Sequence, residues 1–492
     1  MSDLILAIDQ GTTGSTAVLI RPDLEIVASA NVEFPQHYPQ PGWVEHAPEA
    51  IWASVSTAVR KALAKVSGGA SRVAAIGITN QRETTLVWDR RSGAPLHNAI
   101  VWQCRRTRDA CAALRDAGHE DLFRSRTGLV LDPYFSGTKI AWILDHVDGS
   151  RDRAARDELL AGTIDCWLTW RLTGGDAHVT DVSNASRTLL MDLRTAAWDE
   201  ELAGLLRVPT SLLPDIRGNA EHYGATSGLD FLPDGIPICG MAGDQQAALF
   251  GQACFLPGEA KCTYGTGAFL LMNVGTTPVP STHGLLTTAA WRLGDTTTFA
   301  LEGSAFIAGA AVQFLRDNLG FVASAAEIEG LAASVQDSDG VVFVPALTGL
   351  GAPHWNPDAR GVLWGLTRGS TRAHIARATL EGIAFQNRDI LAAMEKDHGD
   401  RLRLLRVDGG AAANNLLMQF QADLLDVPLS RPTHLETTAI GAGLLAGLGA
   451  GLFASTDDIR ANWKEERRFT PAMDDGVRET HLARWQEGLR RV

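Results

Sequence analysis

The sequence predicts an α/β protein built from two similar halves, and three observations carry that expectation. Short apolar runs suited to buried strands alternate along the chain with amphipathic stretches. Two of these runs, Leu4-Ile-Leu-Ala-Ile8 and the one opening at Lys261-Cys-Thr-Tyr264, end in tight polar turns of glycine and threonine and return as a second strand. The echo places the division of the chain near Gly251–Pro257.

The elements follow in order. Leu4–Ile8 is a buried strand, Asp9-Gln-Gly-Thr-Thr-Gly-Ser15 its turn, Thr16–Ile20 the return and Glu25–Val32 a third strand. Ile51, Val55, Val59 and Leu63 recur at a spacing of four, so Pro48–Val66 is an amphipathic helix. Val73–Thr79 is a strand ending at Asn80-Gln-Arg-Glu83, and Thr84–Trp88 continues extended. Arg106–Ala117 and Lys139–His146 are helical. Ile236–Met241 is a strand, and Gly243-Asp-Gln-Gln-Ala247 opens a helix of small residues. After Gly265-Thr-Gly267 the chain returns as Ala268–Met272. Phe306–Leu319, Thr371–Lys396 and Asn414–Leu425 are long amphipathic helices, and the strand Leu402–Val407 runs into Asp408-Gly-Gly410. Glu479–Val492 reads as an exposed helix.

Composition excludes several classes. At about 100–200 residues per domain, 492 residues make two to four domains. Asp and Glu number 57 against 44 Lys and Arg, a net charge of −13, which argues against nucleic acid or an anionic membrane as partner. Only Lys61, Lys65, Lys139, Lys261, Lys396 and Lys464 are lysines, and none follows a glycine, so there is no GxxxxGK[ST] loop and no VAIK-type kinase strand. The six cysteines form no CxxC, which suits reduced thiols in a cytosol. The histidines make no HxH or HExxH, so no transition-metal site is signalled. Met1-Ser-Asp-Leu4 lacks the pattern of a signal peptide, and a cytoplasmic chain is expected. Thr437–Thr456 carries no charge, but its five glycines and few large aliphatics favour a buried helix with a thin, glycine-lined face over a membrane span. Its GAGLLAG is not a dinucleotide fingerprint, and there is no GxSxG.

The two turns carry the first candidate chemistry. Backbone N–H groups in glycine and threonine turns cradle phosphate oxygens. Asp9 either caps its turn or holds a Mg²⁺ through water. Asp244 either caps a helix or acts as a general base, with Gln245 beside it as a second contact. Arg82-Glu83 is either a solvated pair or, at the mouth of a cleft, a set of donors and acceptors for a polyol. Tyr134, Trp102 and Phe269 are either core or walls of that cleft. Asp408-Gly-Gly-Ala-Ala-Ala-Asn414 is either a small-residue helix start or a close approach for a base or ribose, with Asn414 hydrogen-bonding.

Taken together, LAIDQGTTGSTAVLI, PGWVEHAPEAIW, ITNQRETTLVW, NAIVWQCRRT, MAGDQQAALFGQ, TYGTGAFLLMN and RVDGGAAANNLLMQFQ resemble the FGGY carbohydrate kinases over about residues 3–470. So do Tyr134–His146 and the stretch from Gly361–Leu366 to His374–Glu381. The resemblance implies two actin/hexokinase-like ATPase domains with ribonuclease-H-like sheets and a cleft between them. Residues 1–250 form the polyol and phosphate side, and 251–492 the nucleotide side. It implies ATP and Mg²⁺ as cofactors and a homodimer or homotetramer. The NQRETT and WQCRRT segments favour glycerol as substrate, giving sn-glycerol 3-phosphate; another polyol or ketose, or an actin-like ATPase without acceptor, is the alternative. By position, Arg82, Glu83, Tyr134, Asp244 and Gln245 meet glycerol, with Trp102 and Phe269 against its carbons. Thr12, Thr13, Gly14, Thr16, Thr266, Gly309, Gln313, Gly410 and Asn414 line the ATP site. Asp9 and Asp244 are the catalytic aspartates and the Mg²⁺ residues: Asp9 organises the ion, and Asp244, also beside it, takes the hydroxyl proton. Two positions depart from the common GTTSSRA: Gly14 replaces a hydroxyl donor, and Thr16 replaces an arginine that reaches the phosphates. The segment Gly224–Pro237 has no basic residue and no histidine, so neither inhibition by a sugar bisphosphate nor control by histidine phosphorylation is expected.

Overall fold

A computed structural model describes residues 3–356 and 358–492. The first sheet contains β1 (Leu4–Gln10), β2 (Gly14–Ile20), β3 (Ile26–Glu33), β4 (Val73–Asn80) and β5 (Pro237–Gly243) in the order β5-β4-β1-β2-β3, with Gly224–Ala225 at one edge. β4 and β5 run parallel with β1, while β2 and β3 form an antiparallel meander. The second sheet holds β6 (Ala260–Tyr264), β7 (Ala268–Gly275), β8 (Leu286–Leu293), β9 (Thr296–Ala305), β10 (Leu405–Asp408), β11 (Leu429–Pro432) and β12 (Glu465–Phe469) in the order β8-β9-β7-β6-β10-β11-β12. Its inner strands β11-β10-β6-β7-β9 repeat the directions of β5-β4-β1-β2-β3. The echo between the two hairpins therefore extends to five strands of each sheet.

β1 shows why these residues make such a sheet. Successive side chains on a strand point to opposite faces, so a strand covered on both sides is apolar throughout. Leu6 and Ile8 join Ile51, Val55 and Val59 of α1 (Pro48–Leu63) in one cluster, whereas Ile5 and Ala7 join Ala439, Ala442 and Leu445 of α4 (Thr437–Gly449) in another. Helix α4 thus comes from the second half of the chain but lies on the first half's sheet. It also packs against α2 (Asp244–Gly251), which in turn touches β6 and β7. Glycine permits this approach: a Cβ on Gly441 would stand 1.8 Å from the Ala247 carbonyl oxygen, and one on Gly77 2.1 Å from that of Ala442. The uncharged stretch is therefore a buried helix, as expected, and among the described residues no helix is long and apolar enough to cross a membrane. All six cysteines are free and buried.

The extended segment expected after Glu83 is present as a strand, and it lies outside the first sheet. The chain turns at Gln81–Thr84, with Glu83 at a φ of 60°, and Thr85–Asp89 enters a separate four-stranded sheet with Glu45–His46, Ala99–Ile100 and Leu159–Thr163. The C-terminal helix, α5 (Asp475–Leu489), is not wholly exposed. Trp485 is fully buried; its ring stacks on Phe385 of α3 (Arg372–His398) at 5.1 Å, and its indole N–H donates to Asp389 at 2.7 Å. One aromatic anchor on a helix without an apolar stripe leaves no periodic signal.

Candidate active site

The strand ends of the first sheet gather the polar candidates. Asn80 ends β4, and the next residues turn inward, so that Arg82 and Glu83 are 2% and 1% exposed. They are not a solvated pair. The Arg82 Nε lies 3.2 Å from an Asp244 carboxylate oxygen, and its Nη2 donates to the Tyr134 hydroxyl at 3.4 Å. Asp244 follows β5 as the first residue of α2, Gly243 being the cap, so its side chain is left half-buried at the junction. A φ above zero costs a glutamate strain that only a supporting structure maintains. The support at Glu83 is Lys139, whose buried ammonium donates to the carbonyls of Glu83 and Tyr134. Burial, opposed in part by Glu83, lowers the Lys139 pKa to about 7.

An aromatic wall closes one side. The Trp102 ring meets Tyr134 edge-on at 5.6 Å and Phe269 of β7 at 6.4 Å. The Trp102 indole N–H donates to the Thr12 hydroxyl at 3.0 Å, tying that wall to the first hairpin tip. Gln245 is buried, and its side-chain oxygen accepts from Lys261, whose ammonium also donates to the Thr263 hydroxyl at 2.8 Å and the Phe269 carbonyl at 3.4 Å. Arg82, Glu83, Tyr134, Trp102, Phe269, Asp244, Gln245 and Thr12 therefore belong to one connected site drawn from both halves.

The remaining candidates form two turns. At the first tip the Gly11 N–H donates to the Gly14 carbonyl at 2.9 Å, and Thr13 is exposed. A Cβ at Gly14 would come 3.0 Å from the Val32 carbonyl oxygen, and the Thr16 hydroxyl accepts from Asn31 at 2.9 Å. The two departures from the common motif thus pack against β3. At the second tip the Gly265 N–H donates to the Gly267 carbonyl at 2.9 Å, Thr266 is exposed, and the Ala308 and Gly309 amides bond back to Thr266 and Gly265. Gln313 is exposed on the helix that Gly309 begins. A Cβ on Gly409 would strike the backbone of Tyr264, but one on Gly410 would meet nothing within 4 Å. Asn414 caps the next helix, its side-chain oxygen accepting from the Leu417 amide at 2.9 Å, which leaves its amide hydrogens for another acceptor.

Asp9 is half-buried at the end of β1, and among the described residues no hydrogen-bond donor reaches its carboxylate. Burial, with the carboxylates of Asp244 and Glu436, pushes its pKa up to about 8. An unpartnered Asp9 near Asp244, whose carboxylate pairs with Arg82, suits Mg²⁺, which takes one or two protein carboxylates and fills its other positions with water and phosphate. No group of three or more His, Cys, Asp or Glu among the described residues forms a cage for a metal held by protein alone.

Four polar side chains absent from the sequence-based site complete it. The Glu302 carboxylate on β9 accepts from Arg82 Nη1 at 2.6 Å and Nη2 at 2.9 Å, and from Arg187 Nη2 at 2.9 Å. Arg187 Nε donates to Glu83 at 2.7 Å, and Gln246 accepts from Arg82 at 3.2 Å. Burial would raise the Glu302 pKa, but the guanidiniums of Arg187 and Arg82 hold it down to about 2; burial raises that of Glu83 despite the same two arginines. Lys261 is the fourth, held buried between the two halves.

Two sheets of one pattern, each ending in a glycine and threonine turn, with a polar cluster bonded across them, define a two-lobed α/β protein with one site between its halves. The chain belongs to the FGGY family of carbohydrate kinases: its N-terminal domain model matches residues 4–251 and its C-terminal domain model residues 260–450. A glycerol kinase from Myxococcus xanthus is 59% identical over 490 residues, covering 99% of both chains. One from Geobacillus kaustophilus is 55% identical over 490 residues, covering 100% of this chain and 99% of the relative. The crystal structure of Plasmodium falciparum glycerol kinase with ADP superposes with a TM-score of 0.92 at 37% identity, covering 99% of this chain and 98% of that one.

Proposed function

We propose that this chain transfers the γ-phosphoryl group of ATP to glycerol, giving sn-glycerol 3-phosphate and ADP. The observation that carries the reading is the joining of Arg82 to Asp244 by an ion pair and to Tyr134 by a hydrogen bond, in a set walled by Trp102 and Phe269. That set matches a three-carbon triol, which offers hydroxyls on one side and a short carbon chain on the other. Selectivity follows because an analogue lacking a hydroxyl leaves buried partners unpaired.

In the proposed reaction Arg82, Glu83, Tyr134 and Gln245 hold the hydroxyls, and Asp244 accepts the proton from the attacking one. The glycerol oxygen bonds to the γ-phosphorus as the bond to the β–γ bridging oxygen breaks, and ADP leaves with that electron pair. Phosphoryl transfer asks chiefly for position and charge neutralisation. The turn at Gly11–Gly14 and the turn at Gly265–Gly267 supply amides and hydroxyls for the phosphates. Gly309, Gln313, Gly410 and Asn414 receive the nucleoside, whose approach the open space beside Gly410 admits. Asp9, with Asp244 nearby, would hold Mg²⁺, which supplies neutralisation of the phosphate charge when bound. We place the enzyme in the cytoplasm as a homodimer or homotetramer, with residues 1–250 as the polyol side and 251–492 as the nucleotide side.

A coupled assay of ADP release over glycerol, dihydroxyacetone, erythritol and a pentulose tests the reading. Glycerol should give the highest kcat/KM. A higher value for any other acceptor overturns the substrate assignment, while ADP release independent of every acceptor points to an ATPase.

A further inference from the structure

We infer that Glu302 is a positioning residue for the substrate arginine Arg82, so that the nucleotide half of the molecule sets the geometry of the polyol side. The inference rests on the reading of Arg82 as a glycerol ligand. Arg82 ends on a turn of the first half, whereas Glu302 stands within β9 of the second sheet, flanked by the buried Leu301 and Gly303. The two are joined by paired hydrogen bonds of 2.6 and 2.9 Å, and both side chains are almost wholly excluded from solvent. A fork-to-fork pair fixes the guanidinium plane as well as its position. With Nη1 and Nη2 held, the Nε is the nitrogen directed at Asp244, at 3.2 Å.

Arg187 shows that Glu302 does more than cancel one charge. It bonds Glu302 through Nη2 and Glu83 through Nε, with its guanidinium over the rings of Tyr134 and Phe135 at 5.5 and 5.2 Å. The Glu302 carboxylate therefore holds Arg82 directly and Glu83 through Arg187, which are the two charged side chains proposed to read glycerol hydroxyls. Lys261 repeats the arrangement on a smaller scale: a buried charged side chain of the second sheet fixes Gln245 of the first half. Positions built on two packed sheets stay within the narrow tolerance that recognition of hydroxyls demands.

The test compares the wild-type chain with Glu302→Gln and Glu302→Asp in steady-state kinetics, with glycerol binding followed by calorimetry. Glutamine keeps the volume and loses the charge; aspartate keeps the charge and falls one methylene short of Arg82, and it preserves the test if the glutamine variant does not fold. The expected result for either variant is a rise of roughly tenfold or more in glycerol KM, with the same weakening in calorimetry and an ATP KM within about twofold of wild type. A merely structural role would lower stability and leave the two KM values moving together, and that outcome, or an unchanged glycerol KM, overturns the inference. A wild-type chain inert toward glycerol overturns both the inference and the reading beneath it; a wild-type chain active on glycerol whose variants show no split overturns the inference alone.

Discussion

The two hairpins share a backbone and differ in where they put their acid. In the first, Asp9 on β1 stands beside Thr79 on the parallel β4; in the second, Thr263 on β6 stands beside Asp408 on the parallel β10. Each hairpin turns through three residues, 11–13 and 265–267. Acid and threonine have exchanged strands. Asp9 has no donor among the described residues and faces two other carboxylates. Asp408 is fully buried and accepts from Gln252 at 2.7 Å, so it ties β10 to the residue that follows α2. An acid at a strand end is thus not functional by position alone. One left half-buried without a partner is available to a cation, and one fully buried against a donor from a neighbouring element holds the structure together.

The comparison breaks most sharply at the acid proposed to act on the hydroxyl. Asp244→Asn should fold and lose about 10²–10⁴ in kcat, since a positioned base contributes that much; circular dichroism and single-turnover rates check both parts. Next, Asp9→Asn should cost kcat about 10²-fold or more, because the metal it would hold is worth several kcal/mol in the transition state. Asp408→Ala should instead spare more of kcat but lose about 1–3 kcal/mol of stability, by stranding Gln252. A pair of variants with the reverse ranking in denaturation and kinetics contradicts the division of roles.

Glu302 extends the contrast to pH. Its folded pKa of about 2 lies below the ordinary 4.5, so its contribution is present above pH 4.5 and is lost as pH falls through the folded value toward 2. Wild type should therefore lose about 3 kcal/mol more than Glu302→Gln between pH 5 and 2 in urea unfolding. The smallest structural perturbation is Gly410→Val. A Cβ at Gly410 would meet nothing within 4 Å, so stability should change by less than about 1 kcal/mol while ATP KM rises and glycerol KM holds. Equal changes in both KM values would remove Gly410 from the nucleotide side.

Local patterns disclosed much of this molecule. The alternation of strands and helices, the two glycine and threonine turns and the glycine-lined helix were all legible, because each rests on sequence-local periodicity or turn chemistry. The dense ion cluster was less so. Glu302 interrupts the apolar run Phe299-Ala-Leu-Glu302, and Lys261 and Lys139 are two of only six lysines; charges in such places are costly unless paired, which was a usable signal. Arg187 left none, since Ser186-Arg-Thr188 looks like surface until the folded chain brings it to Glu83 and Glu302. The swap of α2 and α4 between halves was also hidden, for it depends on contacts nearly 200 residues apart. The turn at Glu83 was legible, but its positive φ was not, since tertiary bonds from Lys139 rather than a glycine support it.

The most direct test of the account is ADP release by the purified chain with ATP and Mg²⁺, measured with and without glycerol. The account predicts release that depends on glycerol and yields one sn-glycerol 3-phosphate per ADP. ADP formed at the same rate without glycerol, with no phosphorylated product, would contradict it.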